Sequence, residues 1–296
     1  MLRRVLKPWY VFRPQQMALR LLQAFSSPKR GYEHLHTAWG AILIADPEKT
    51  IGHSIWTTGV YDLNVSELLI RLIRPGDVVI DAGANIGYMT VLAASAVSNG
   101  GRVLAFEPNP ELFELLVRNI ENCTDSSVVT ARAIALGAHS GSVQLVLPGA
   151  LASNDGLSFV GHPRSPLDRS IEVSQTTLDA AVGHDIVGVL KIDVEGAEPE
   201  VLRGAKHLLR DHRVRDVIFE DHEGDGSESF RILREAGYQV FSIGRTVRGL
   251  KLGAPNEKSC APYEAPSYLA TVCPEDAVVK CESKGWRCLR LIRSPT

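Results

Sequence analysis

A strong charge of either sign is what this 296-residue chain most plainly lacks: 32 Lys and Arg against 34 Asp and Glu leave a net charge of -2. A nucleic-acid surface normally needs a basic excess, so no nucleic acid partner is expected. No apolar run approaches the ~20 residues that span a bilayer. Lys7, Pro8 and Arg13 interrupt the start, where a secretion signal would carry its apolar core. A cytoplasmic protein is expected. Cysteine is scarce: the five residues Cys123, Cys260, Cys273, Cys281 and Cys288 are odd in number and include no C-x-x-C pair. That argues against a disulfide framework and against a zinc site, and free thiols without a metal are expected.

The length suits one large α/β domain or two small ones, with a substantial core either way. Residues 1–30 hold seven Lys or Arg and no acid, and Met17, Leu21, Leu22 and Phe25 fall near helical spacing. This basic arm, taken as residues 1–37, either packs on the body of the protein or touches an anionic membrane surface or a partner. Residues 38–61 read as a hairpin, with strands at Ala41–Ala45 and Ile51–Trp56. A helix is expected from Ser66 to Ile73, with Tyr61 and Asp62 just ahead of it in a loop able to cover a ligand.

Val78, Val79 and Ile80 form a strand apolar on both faces, and Gly83 and Gly87 bracket a tight turn before a helix that opens at Tyr88. Such a turn offers backbone amides to a nucleotide-like ligand. The dinucleotide pattern G-x-G-x-x-G is not met, because Asn85 stands where its second glycine belongs. Asp81 would repel a pyrophosphate but suits an ammonium group. About twenty residues on, the strand Arg102–Phe106 ends at Glu107 and Pro108, where an acid accepts hydrogen bonds from both ribose hydroxyls. Ribose plus amino acid describes S-adenosylmethionine better than NAD.

Strands and helices then alternate, with strands at Ser127–Leu136, Gly141–Leu147 and Ile171–Thr176. The pattern predicts an α/β fold, a Rossmann-like doubly wound and mostly parallel sheet. The polar stretch between Pro148 and Ser170, with Ser153–Gly156, reads as a loop over the ligand face. A second buried strand, Ile186–Ile192, runs into Asp193-Val194-Glu195-Gly196-Ala197-Glu198, and a third, Val217–Phe219, runs into Glu220-Asp221-His222. Acids at the carboxyl ends of central parallel strands point into the ligand crevice. Strands at Tyr238–Ile243 and Tyr268–Cys273 follow, the latter antiparallel. The tail 274–296 reads as irregular.

The turn Asp81-x-Gly83-x-Asn85-x-Gly87, with Pro75-Gly76-Asp77, Phe106-Glu107-Pro108, Thr177-Leu178-Asp179 and Lys191-x-Asp193-x-Glu195-Gly196-x-Glu198, resembles the FkbM-type methyltransferases over residues 38–273. The resemblance implies a seven-stranded methyltransferase sheet with one reversed strand, S-adenosylmethionine as cofactor, and O-methylation of a small-molecule or glycan hydroxyl.

On that basis the cofactor-binding candidates are Asp81, Gly83, Asn85, Gly87, Tyr88, Glu107, Pro108 and Asp193, with Asp81 meeting the methionine ammonium directly or through water. An alcohol acceptor must lose its proton as the new bond forms, which calls for a base within hydrogen-bond reach. The candidates are His222, Asp193 and Glu195; His222 reads equally as a solvated loop residue, and Glu195 and Glu198 equally as helix-capping acids. No ligand spacing demands a metal. Two other readings stay open, a non-catalytic adaptor docking through the basic arm and an NAD-dependent oxidoreductase.

Overall fold

The structure, a computed structural model, describes residues 30–290 apart from 99, 124, 150–157, 162, 164, 247–248 and 258–265. The basic arm before Arg30, Ser153–Gly156 of the polar loop, Cys260 and residues 291–296 therefore lie outside the described residues.

The described chain begins with an antiparallel pair, β1 (Glu33–His36) and β2 (Ile42–Ala45), with Leu35 opposite Leu43. The strand expected at Ile51–Trp56 is instead helical, within α1 (Thr50–Thr58). Ile51 and Ile55 lie one turn apart and are both buried. Gly52 lets this helix press on the preceding turn, where a Cβ would stand 2.0 Å from the Asp46 carbonyl oxygen. Gly59, in the left-handed region at φ 74°, ends the helix with its N–H on Ile55 O.

Helix α2 (Leu63–Leu72) starts at Asp62, whose carboxylate accepts the Val65 amide. Then β3 (Val78–Ala82), α3 (Tyr88–Ala94), β4 (Arg102–Phe106), α4 (Pro110–Glu121) and β5 (Val129–Arg132) wind as parallel crossovers. The next four strands leave the main sheet: β6 (Ala135–Leu136), β7 (Gly141–Leu147), β8 (Phe159–Val160) and β9 (Arg169–Thr176) form their own sheet in the order β6-β9-β7-β8. Segments 141–147 and 171–176, read from the sequence as part of the regular alternation, pair antiparallel with each other, from Gly141 opposite Gln175 to Leu147 opposite Arg169. The few residues joining β6 to β7 are too short for a parallel crossover, which needs about a dozen or more.

The winding resumes with α5 (Leu178–Val182), β10 (Val187–Ile192), α6 (Glu198–Arg203), α7 (Lys206–Arg210), β11 (Val214–Glu220), α8 (Glu228–Glu235), β12 (Gln239–Thr246), β13 (Gly249–Gly253), β14 (Ser267–Thr271) and α9 (Pro274–Glu282). The main sheet runs β13-β12-β14-β11-β10-β3-β4-β5. It is mostly parallel, and β14 is the reversed strand between β11 and β12. Beyond the seven expected strands, β13 adds an eighth at the edge, antiparallel to β12.

Alternation along the strands divides the core between two faces. Val79, Val103, Val189 and Ile218 pack with α2, α3, α4 and α9, whereas Ile80, Leu104, Phe106, Leu190 and Phe219 pack with α5 to α8. Helices on both faces bury β3 and β10 completely. Any charged side chain on those two strands must therefore find a partner inside the protein.

The expectation of an irregular tail fails for Pro274–Glu282, a helix with proline in its first turn, Glu275 and Asp276 beside it, and Lys280 in its last turn. Cys281 in its last turn and Trp286, Cys288 and Leu289 beyond it are buried. The buried pair Arg71 and Glu67 holds this segment, Arg71 donating to the carbonyls of Lys280, Ser283 and Gly285 and Glu67 accepting the Cys288 amide. Among the described residues Cys123, Cys273, Cys281 and Cys288 are free thiols, and no helix is long and apolar enough to cross a membrane.

Candidate active site

The carboxyl ends of β3, β4, β10 and β11 lie side by side, and the turn after each contributes to one crevice. After β3, Gly83 and Ala84 both donate to Phe106 O at 3.0 Å, which binds this turn to the end of β4. Gly83 (φ 76°) has no room for a side chain, since a Cβ would stand 1.8 Å from the Asp193 carbonyl oxygen. Asn85 adopts φ 51°, a left-handed conformation that asparagine tolerates better than most residues.

Glu107 fixes the turn from the neighbouring strand. Its side chain is buried, with Oε2 accepting the Asn85 amide at 2.8 Å and Oε1 the Asn109 amide at 2.9 Å. Burial raises its pKa to about 7, and the two amide hydrogen bonds and Lys191 oppose that rise. The Asn109 side chain donates to Ser158 Oγ at 3.0 Å, so the small second sheet is tethered beside this corner.

Beneath the turn stands a buried charge group. Lys191 Nζ donates to Gly83 O at 2.8 Å and lies 3.0 Å from Asp81 Oδ1 and 3.5 Å from Asp193 Oδ2. Asp81 Oδ2 accepts the Thr90 hydroxyl at 2.6 Å. Burial alone would lower the lysine pKa, but the carboxylates of Asp81 and Asp193 more than offset it and hold Lys191 charged. One ammonium against two carboxylates leaves the trio about one negative charge, and of the two acids only Asp193 has its side chain open, at 36% exposure. Asp81, the acid expected to meet a ligand ammonium, is 2% exposed and lies under the turn. The lone Lys in an otherwise apolar central strand was the available sign of this pairing, since a buried ammonium needs a carboxylate.

Acids gather at the ends of β10 and β11. Glu195 is held at φ 53°, a strained conformation for a residue with a side chain. Although its own surface is open, the crowding around it and the carboxylates of Asp193 and Glu198 raise its pKa to about 7. Glu198 is buried, and its Oε1 accepts the amides of Val194 at 3.1 Å and Gly196 at 3.2 Å, so it shapes this loop from the start of α6. Glu220, at the end of β11, has its pKa raised to about 8 by burial and then by Asp193, Glu195 and Asp62. His222 is exposed, and its Nε2 lies 2.9 Å from Glu220 Oε1. Asp221 turns away, accepting the Ser227 hydroxyl and the Glu223 and Gly224 amides.

Two aromatic residues complete the wall. Tyr88 is buried behind the turn, edge-on to both Trp39 and Tyr61, with its hydroxyl 3.1 Å from Ser66 Oγ. Tyr61, edge-on to Tyr88, is held protonated first by burial and then by the carboxylates of Asp193, Asp62, Glu220 and Glu195. Pro108 is half-buried after Glu107. The structure thus brings Gly83, Asn85, Gly87, Glu107, Asp193, Glu195 and His222 to one edge of the sheet, with Asp81 and Tyr88 behind it. Asn119 on α4, also missed from sequence, braces the turn by donating to Ile86 O at 2.7 Å while pairing with both backbone groups of Ile44.

The family model described as the methyltransferase FkbM domain matches residues 81–240. Hexuronic acid methyltransferase AglP of Haloferax volcanii is 32% identical over 177 residues, covering 58% of this chain and 68% of that one. The 31-O-demethyl-FK506 methyltransferase FkbM of Streptomyces tacrolimicus is 32% identical over 198 residues, 57% of this chain and 75% of that one. A crystal structure of a methyltransferase FkbM from Methylobacillus flagellatus aligns at 14% identity with a TM-score of 0.44, covering 67% of this chain and 44% of that one.

Proposed function

Because the chain belongs to the FkbM methyltransferase family, for which S-adenosylmethionine is the implied methyl donor, we propose that it transfers that methyl group to a hydroxyl of a small molecule or glycan. The observation that carries this reading is the shared edge at which the Gly83–Gly87 turn, Glu107 and the acids of β10 and β11 meet. The first half of that edge fits a ribose and an amino acid. Each Glu107 oxygen holds one backbone amide and keeps a second lone pair for a ribose hydroxyl. The donor's ammonium and sulfonium are both cationic, and Asp193 presents the residual negative charge of the Lys191 group to them.

In this reading Gly83, Asn85, Gly87 and Pro108 shape the donor's bed. Asp81 acts from behind through Lys191, and Tyr88 supports the turn without touching the ligand. Methyl transfer is an in-line displacement at carbon, so what the protein supplies is alignment and exclusion of water, with a base for the acceptor proton. Two relatives are named for hexuronic acid and 31-O-demethyl-FK506 as acceptors. For this chain we take the same classes, sugars and polyketide hydroxyls, as the acceptors to try first.

The test is methyl transfer from isotopically labelled S-adenosylmethionine to a panel of neutral pyranosides, uronic acids and polyketide alcohols. Label in an ether linkage supports the proposal, whereas label in a methyl ester or methylamine moves the acceptor atom away from hydroxyl oxygen.

A further inference from the structure

Four acids and a histidine crowd the second half of the edge, and their surroundings separate them. Asp193 is drawn toward the buried Lys191 at 3.5 Å. Glu198 spends one oxygen on the amides of Val194 and Gly196. Glu195 opens to solvent at the loop tip. Glu220 differs from all three. It ends β11, next to β10, its side chain is 27% exposed, and His222 is its one side-chain partner among the described residues. His222 itself is 72% exposed, so a path of two residues leads from the crevice to bulk water.

We propose that Glu220 faces the methyl group being transferred and takes the acceptor's proton, with His222 carrying that proton out to solvent. This rests on the reading that the crevice binds S-adenosylmethionine. In the step, a lone pair of the acceptor oxygen forms the new O–C bond while the C–S pair returns to sulfur, leaving the neutral thioether S-adenosylhomocysteine. The O–H proton passes to the Glu220 carboxylate, and His222 then gives it to water. Glu220 feels Asp193, Glu195, Asp62 and Glu198 as like charges, and His222 Nε2 lies 2.9 Å from its Oε1. Surrounded in this way, it has the proton affinity that a base working near neutral pH requires.

The placement is testable without knowing the acceptor. Calorimetric titrations in buffers of different ionisation enthalpy, between pH 7 and 9, count protons released on binding. The two ligands are S-adenosylhomocysteine and a donor analogue with a protonated amine in place of the methylsulfonium. A cation set beside Glu220 displaces its proton, so the cationic analogue should release up to about half a proton more per site than the neutral product near pH 8. Glu220→Gln should abolish that difference, and Glu223→Gln in the same loop should keep it. Glu220→Asp retains the carboxylate and should keep the release while slowing transfer. On any hydroxyl acceptor, Glu220→Gln should lower kcat by about 10²- to 10⁴-fold with product affinity unchanged. An unchanged proton difference in Glu220→Gln overturns the inference. Failure of the wild-type protein to bind S-adenosylhomocysteine at all overturns instead the reading beneath it.

Discussion

Asp81 and Lys191 stand opposite one another in the parallel register between β3 and β10, and their charged groups meet at 3.0 Å. Both strands are covered on both faces, so neither charge reaches water, and the pair also pins the glycine turn through the bond from Lys191 to Gly83 O. One cross-strand contact therefore couples the stability of the sheet to the shape of the ligand turn.

Removing one partner should cost more than removing both. Lys191→Met leaves a buried carboxylate uncompensated and should lower stability by roughly 3–5 kcal/mol in urea unfolding. Adding Asp81→Asn should recover part of that loss, because an amide is cheaper to bury unpaired than a charge. A double variant no more stable than Lys191→Met alone would show that the two residues are not coupled.

Glu107 is predicted to control cofactor affinity through the turn. Glu107→Gln keeps the size but removes the charge and replaces one accepting oxygen with an NH2 group, so both amides lose a charged partner and either the Asn85 or the Asn109 amide loses its acceptor altogether. A hydrogen bond to a charged group is worth about 1.5–3 kcal/mol, which corresponds to a loss of roughly 10- to 100-fold in S-adenosylhomocysteine affinity. Titration calorimetry reads this directly, with the exposed Glu111→Gln as an unaffected control.

Stability should fall from pH 6 to pH 9. Glu107 and Glu220 have folded-state pKa values raised to about 7 and about 8, in each case first by burial. A carboxyl raised in this way binds its proton more tightly when folded. Its contribution is complete below the unfolded pKa of about 4.3 and is lost as pH rises through the folded value. Thermal unfolding across this range should show a falling Tm, with a shallower slope in Glu220→Gln. A Tm that rises across the same range would contradict the assignment of these two groups.

The two glycines of the turn should differ in their tolerance of a side chain. Gly83→Ala drives a Cβ into the Asp193 backbone carbonyl, which has no way to yield. Gly87→Ala meets instead the Cδ1 end of the Leu116 side chain at 2.7 Å, which can rotate, although its φ of 90° remains unfavourable for alanine. Circular dichroism melts together with S-adenosylhomocysteine binding should show Gly83→Ala as the more damaging change on both counts.

The parts of this molecule that were legible in the sequence are those where local pattern and final environment agree. The apolar runs Val78–Ile80 and Val187–Leu190 announce strands buried on both faces, and the acids that follow β10 and β11 announce a crevice. Where contacts are distant, the sequence is silent. Residues 51–56 read as a strand because a short apolar run has no clear period, and helicity there depends on Gly52 packing against Asp46. The tail reads as irregular because its burial depends on Arg71, some 210 residues earlier in the chain, although Pro274 and the acids after it were a usable helix-start pattern. Asp81 reads as a ligand contact because its partner Lys191 becomes a neighbour only through the strand register. In the sequence Glu220 reads as one acid among several beside His222, and what distinguishes it is an environment of acids contributed by separate segments of the chain.

The most direct test of the account is calorimetric titration of the purified protein with S-adenosylmethionine, S-adenosylhomocysteine and NAD in parallel. The first two should bind with one site per chain and more weakly in Glu107→Ala, and NAD should give no heat. Binding of NAD in place of the other two, or no binding of S-adenosylmethionine and S-adenosylhomocysteine, would contradict the account.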